Sequence, residues 1–76
     1  MADKKSADSI AFGATMRLER EARGYSPEAF AQRVELATSE VEAIERGEGN
    51  VTYLMVLRLA RGLRMSPVEL VIRAGF

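Results

Sequence analysis

Apolar side chains recur along this chain at three- and four-residue intervals, and nowhere do they alternate with the period of two that marks a strand. The first periodic stretch predicts a helix from about Ser9 to Arg23. Phe12, Met16 and Glu19 lie on one line, Ile10, Ala14, Leu18 and Ala22 lie beside it, and Gly24 stops it. A second helix starts at Ser26-Pro27, where serine can cap and proline suits the first helical position. It buries Ala29, Phe30, Ala31 and Val34. After Glu35-Leu36-Ala37 the chain restarts at Thr38-Ser39, with Val41 and Ile44 three apart, and Glu45-Arg46-Gly47 closes the third helix with a left-handed glycine.

The fourth helix follows the turn-rich Gly47-Glu48-Gly49-Asn50, with Thr52 as cap and Tyr53, Val56, Leu57, Ala60 and Leu63 as its apolar stripe. Leu54 and Met55 fall off that stripe, and Leu59 with Gly62 continues the Met55 side. Either a core wraps this helix on several sides, or the excess forms a self-association surface of Leu54, Met55, the outer face of the fifth helix and Phe76. The fifth helix opens with Ser66-Pro67-Val68-Glu69, which reads as a capping box, and carries Leu70, Val71 and Ala74. The class is all-α: a compact domain over residues 9–76, preceded by a flexible polar arm over residues 1–8. Two short helices joined by a tight turn, as over Gly24–Gly47, make a helix-turn-helix, whose second helix commonly enters a DNA major groove.

With 76 residues the core is small, which favours pairing with a second copy. The absence of cysteine and histidine removes disulfides, thiolate metal sites and the commonest general base. With no glycine-rich phosphate loop either, neither an enzyme, a metal nor a cofactor is expected. The apolar runs are too short to span a bilayer, and no long apolar region follows Lys4-Lys5, so a cytoplasmic protein without membrane association is expected. Net charge is zero but unevenly spread. Residues 34–49 hold five glutamates against Arg46, whereas residues 50–76 hold four arginines against Glu69.

The order of signals resembles the Cro/C1-type, or Xre, helix-turn-helix family over about residues 10–72. The resemblance rests on Arg17-x-x-Arg20, Gly24-Tyr25-Ser26, Phe30-Ala31, Ile44-Glu45-Arg46-Gly47, Leu59-Ala60-x-x-Leu63 and Ser66-Pro67-x-Glu69-Leu70. Within the family, Glu45 to Thr52 looks most like the restriction–modification controller proteins, which are small dimeric regulators. The resemblance implies a five-helix, lambda-repressor-like domain acting on double-stranded DNA as a homodimer. It matches Arg20 and Glu45 to a structural ion pair, and Thr38, Ser39, Glu42 and Ala43 to base-facing positions with Glu40 nearby. Phosphates are expected at the start of the second helix (Pro27, Glu28) and near Arg33, Arg46, Asn50 and Thr52, with Lys4 and Lys5 reaching from the arm.

Two departures from the family pattern stand out: Ala37 replaces the usual serine or threonine cap, and Glu35 a frequent turn glycine. Thr38, or Ser39 with Glu42 as a capping box, can take over the cap. No arginine, lysine, asparagine or glutamine lies between Thr38 and Glu45 to read guanine or adenine bidentately. The acidic stripe Glu35, Glu40, Glu42 and Glu48 therefore supports a second reading, a protein-interaction module that docks a basic partner through the third helix. Arg58, Arg61 and Arg64 are expected on the outer side of the fourth helix, away from the groove.

Overall fold

The computed structural model describes residues 6–75, all-α in their regular structure: α1 (Ala7–Ala22), α2 (Pro27–Val34), α3 (Thr38–Glu45), α4 (Tyr53–Leu63) and α5 (Pro67–Arg73). Residues 1–5 of the expected arm, with Lys4 and Lys5, and the expected interface residue Phe76 lie outside the described residues. Helix α1 starts two residues before Ser9 because Ser6 and Ser9 cap reciprocally. The Ser9 amide donates to Ser6 Oγ and the Ser6 amide to Ser9 Oγ, both at 3.0 Å.

Packing selects one side of each amphipathic helix. Phe12 and Met16 of α1, Phe30 of α2, Val41 and Ile44 of α3, Leu59 and Leu63 of α4, and Leu70 of α5 meet in one core. On α1 the expected flanking line turns outward, with Ile10, Ala14, Leu18 and Ala22 all exposed. Here α1 packs chiefly on α3, through the side bearing Phe12, Gly13, Met16 and Arg20. Gly13 is required there: a Cβ would collide with the Ile44 carbonyl oxygen at the end of α3. On α4 the expected stripe is buried at Ala60 and Leu63, and the Met55 side is buried with it at Leu59 and Gly62. The core thus wraps the second half on more than one side, and the departure is Tyr53. Leu59 is 1% exposed and Tyr53 is 74% exposed, because α2 and α5 cover the second half of α4 and leave its first turn in solvent.

One hydrogen-bonding scheme ends four of the helices. A residue in the left-handed region follows the helix, and the next amide reaches back to a carbonyl five residues earlier. Tyr25 N–H donates to Arg20 O, Leu36 to Ala31 O, Glu48 to Ala43 O and Met65 to Ala60 O, at 2.9–3.2 Å. The left-handed positions are Gly24, Glu35, Gly47 and Arg64. The expected stop at Gly47 has this form, at φ 81°. Tyr25, Leu36 and Met65 then fold onto the core. The fifth-helix capping box forms only by half. Ser66 Oγ accepts from the Glu69 amide at 3.0 Å, but the Glu69 carboxylate lies 3.5 Å from Arg73 instead of returning to Ser66. Arg73 also pairs with Glu19 at 2.9 Å, and Arg23 with Glu19 at 2.7 Å, which ties α5 to α1. The hydrogen bond from Arg23, with help from Arg73, holds the Glu19 carboxyl below its ordinary value of 4.5 despite opposing desolvation.

Among the four closures Glu35 is the least favourable residue. A side chain in the left-handed region costs roughly 1–2 kcal/mol, and its carboxylate sits at the negative end of the α2 dipole. Arg64, in the same conformation at φ 59°, has the favourable charge. Replacing Glu35 by glycine should therefore raise unfolding stability by about 1 kcal/mol, read as a higher urea midpoint at unchanged slope. A lower midpoint would show that the glutamate makes a contact outweighing its strain.

Candidate nucleic-acid interface

Helices α2 and α3, eight residues each, meet across the Glu35-Leu36-Ala37 turn. Val41 and Ile44 hold α3 in the core, so its opposite side faces out. Ser39 and Glu42 are exposed there, and Thr38 and Ala43 are half-buried. These four expected base-facing residues thus share one outward strip.

The start of α3 is not capped as expected. The cap residue is Ala37, with Thr38 already helical. Neither Thr38 nor Ser39 caps, and Ser39 with Glu42 forms no capping box. Instead the Glu40 carboxylate turns back and accepts from the Ala37 amide at 2.8 Å. An alanine side chain has no acceptor for the first-turn amides, so only this half of a capping arrangement exists. Glu40 thereby serves the helix end, where its charge also complements the dipole.

The pairing of the other glutamates changes the electrostatics of this acidic stretch. Arg20 donates from Nε to Glu45 Oε2 at 2.7 Å and from Nη2 to Oε1 at 3.0 Å. Both side chains are over nine-tenths buried. A third bond runs from Arg20 Nη1 to the Tyr25 carbonyl at 2.8 Å, so the guanidinium joins the end of α3 to the loop before α2. The Glu45 carboxylate raises Arg20 above its usual pKa, against desolvation. Glu48 pairs with Arg46 at 3.2 Å. No cation lies within 4 Å of Glu35, Glu40 or Glu42 among the described residues.

The expected phosphate contacts are dispersed. Pro27 has no N–H, and Ser26 Oγ takes the Ala29 amide at 3.0 Å, which leaves the Glu28 amide open in that turn. Arg46 and Asn50 are exposed beside the end of α3, and Thr52 Oγ1 accepts from the Met55 amide at 3.2 Å as the α4 cap. Arg33 turns toward α4: its Nε donates to the Gly62 carbonyl at 2.7 Å, and its guanidinium lies 5.2 Å from the Tyr25 ring centroid. Arg58 and Arg61, expected on an outer face, line a cleft with Arg33. Their i, i+3 spacing on one helix was the signal for this, but only the fold shows what they face. Of the expected interface residues, Leu54 is 64% exposed, whereas Met55 is half-buried against the core. No group of three or more His, Cys, Asp or Glu that could hold a metal occurs among the described residues. None of their helices is long and apolar enough to cross a membrane.

Residues 11–71 match the family model described as a helix-turn-helix domain. Among solved structures, the restriction-modification controller protein C.AhdI from Aeromonas hydrophila is 40% identical with a TM-score of 0.82, over 86% of this chain and 98% of that one. SinR, a master regulator for biofilm formation solved in complex with DNA, is 25% identical with a TM-score of 0.72, over 78% of this chain and 95% of that one. The clp gene regulator ClgR from Corynebacterium glutamicum shares the fold at 21% identity, with a TM-score of 0.84 over 93% of this chain and 76% of that one. No curated protein matches significantly.

Removing one partner of a buried ion pair leaves the other charge uncompensated. Arg20→Met or Glu45→Leu alone should therefore cost roughly 3–5 kcal/mol, and the double variant clearly less than the sum. Urea unfolding of the four proteins checks this. Additive losses would mean that the two side chains act independently.

Proposed function

The chain belongs to the helix-turn-helix domain family, in the company of Cro/C1-type controller regulators, and from that premise we propose that it is a sequence-specific DNA-binding transcription regulator. In this reading it acts as a homodimer with α3 of each subunit in successive major grooves, half-sites lying about 34–36 Å apart. The observation that carries the reading is the outward strip Thr38, Ser39, Glu42 and Ala43 on a helix that Arg20 clamps from behind. The similarity to C.AhdI over nearly all of that protein supports a controller-like role.

The five-glutamate count overstates the repulsion such a helix would meet. Glu45 is buried against Arg20, Glu48 is paired with Arg46, and Glu40 lies on the helix's own N-terminal amide. Glu42 remains as the outward carboxylate of the strip, suited to accept from cytosine N4. The same accounting weakens the alternative of a basic protein docked on α3, since two of the four stripe residues are engaged within the chain.

Self-association is supported by where large apolar side chains remain in solvent. Tyr53 and Leu54 of α4 and Val68 and Ile72 of α5 are all more than 60% exposed. A second copy covering these helices would bury them and enlarge a small core.

Two measurements test the reading. Glu42→Lys should tighten binding to random duplex at low salt and steepen the dependence of log K on log salt by about one unit. Unchanged affinity and slope would place α3 away from DNA. Leu54→Asp should shift sedimentation equilibrium toward monomer while the thermal unfolding of the monomer stays the same, because Leu54 is outside the core. A persistent dimer would move the interface elsewhere.

A further inference from the structure

The arginines of this chain fall into two groups. Arg17, Arg20, Arg23, Arg46 and Arg73 each have a carboxylate within 4 Å. Arg33, Arg58, Arg61 and Arg64 have none among the described residues. Three of these four unpaired cations converge on one place, an open cleft of about 260 Å³ between the end of α2 and the second half of α4, floored by Val34 and Gly62.

The arginines cross this gap in opposite directions. Arg33 of α2 donates to the Gly62 carbonyl of α4 at 2.7 Å, and Arg58 of α4 donates through Nη1 to the Glu35 carbonyl at 3.3 Å. The Tyr25 ring beneath Arg33 fixes that guanidinium further. Each of these side chains is held by neutral partners through one of its five N–H donors, and the remaining donors and the full charge stay available. The Arg61 side chain makes no hydrogen bond to the described residues. Glu35 is the carboxylate-bearing member of the lining, but it forms no ion pair within 4 Å with any of the three. Three guanidinium groups against one carboxylate leave the cleft net positive and raise its local potential, and partial immobilisation lowers the entropic cost of binding.

The geometry points to this cleft as a binding site for a phosphate-bearing anion, separate from the outward strip of α3. A carboxylate, with one charge and two oxygens, is satisfied by a single guanidinium. A phosphate group carries more charge and more acceptor oxygens and suits several. The cleft has room for more than one phosphoryl group, and its source is either a free phosphorylated molecule or a phosphodiester of nucleic acid.

Titration of the ¹⁵N-labelled full chain with inorganic pyrophosphate at low salt, in the absence of DNA, tests the assignment independently of the role proposed for α3. Saturable amide shifts are expected at Glu35, Arg58 and Gly62. Arg58→Gln and Arg61→Gln, both exposed positions, should each weaken binding by about tenfold or more, with the folded spectrum retained. Arg64→Gln, an unpaired arginine outside the cleft, should leave binding within about twofold. Shifts that fail to saturate, that spread equally to Arg17, Arg46 and Arg64, or that survive both cleft substitutions overturn the site. Added duplex then separates the sources. Displacement of pyrophosphate identifies a backbone phosphodiester as the occupant, and simultaneous binding identifies a free phosphorylated molecule.

Discussion

The contact between α1 and the end of α3 is the constraint on which the rest of this structure depends. Gly13 brings the two helices to backbone distance, and four residues beyond Met16 the Arg20 guanidinium grips Glu45 with two bonds. A buried ion pair contributes little net stability, since desolvation offsets much of the attraction. Its contribution here is directional. Two parallel N–H···O bonds and a third to the Tyr25 carbonyl leave α3 little freedom to roll or slide against α1. An apolar contact of equal area would tolerate several registers, and the outward strip of α3 would then have no fixed heading. The same guanidinium anchors the loop entering α2, so both helices of the pair are positioned from one point.

Zero net charge conceals a sorted surface. Carboxylates neutralise the arginines of α1, α5 and the end of α3, whereas those around the α2–α4 cleft have none within 4 Å among the described residues. The glutamates of the central stretch are partly consumed by Arg20, by Arg46 and by the α3 helix end. Charge counted along a sequence therefore misjudges the field of the folded chain. Arg20 and Glu45 lie 25 residues apart, and no windowed sum connects them.

Local chemistry made the elements legible and tertiary packing did not. Ser26-Pro27, Thr52 and Ser66-Pro67 announce helix starts, and Gly24 and Gly47 announce stops, because capping and left-handed turns are decided within a few residues. Glu35 and Arg64 adopt the same left-handed closure without the glycine that would advertise it. The buried sides of α1 and α4 were set by which neighbours cover them. Leu18 and Tyr53 are apolar at helical spacing yet exposed, while Gly13 and Gly62 are buried because helices crowd them. The Arg20–Glu45 pair could be expected only through family resemblance. The turning of Arg33 toward Gly62 left no trace in the sequence, since an arginine stem reaches in many directions and the carbonyl that captures it belongs to another helix.

The unusual start of α3 bears on how such a helix would read DNA. A serine or threonine cap would spend its oxygen on a first-turn amide, and an arginine or glutamine nearby would supply the bidentate contacts to purines. This chain has neither. With Ala37 at the cap and Glu40 engaged behind it, the amides of Thr38 and Ser39 stay unbonded and their hydroxyls remain unused as caps. In the proposed orientation the donors offered to the groove are therefore short hydroxyls and main-chain N–H groups, with Glu42 as the one extended acceptor. Short groups reach base edges only when the helix sits deep in the groove. In that proposed orientation α1 would help set the depth by how it holds α3, which would tie specificity to the buried Arg20–Glu45 clamp. In such an arrangement DNA shape and groove width weigh more than long side-chain contacts.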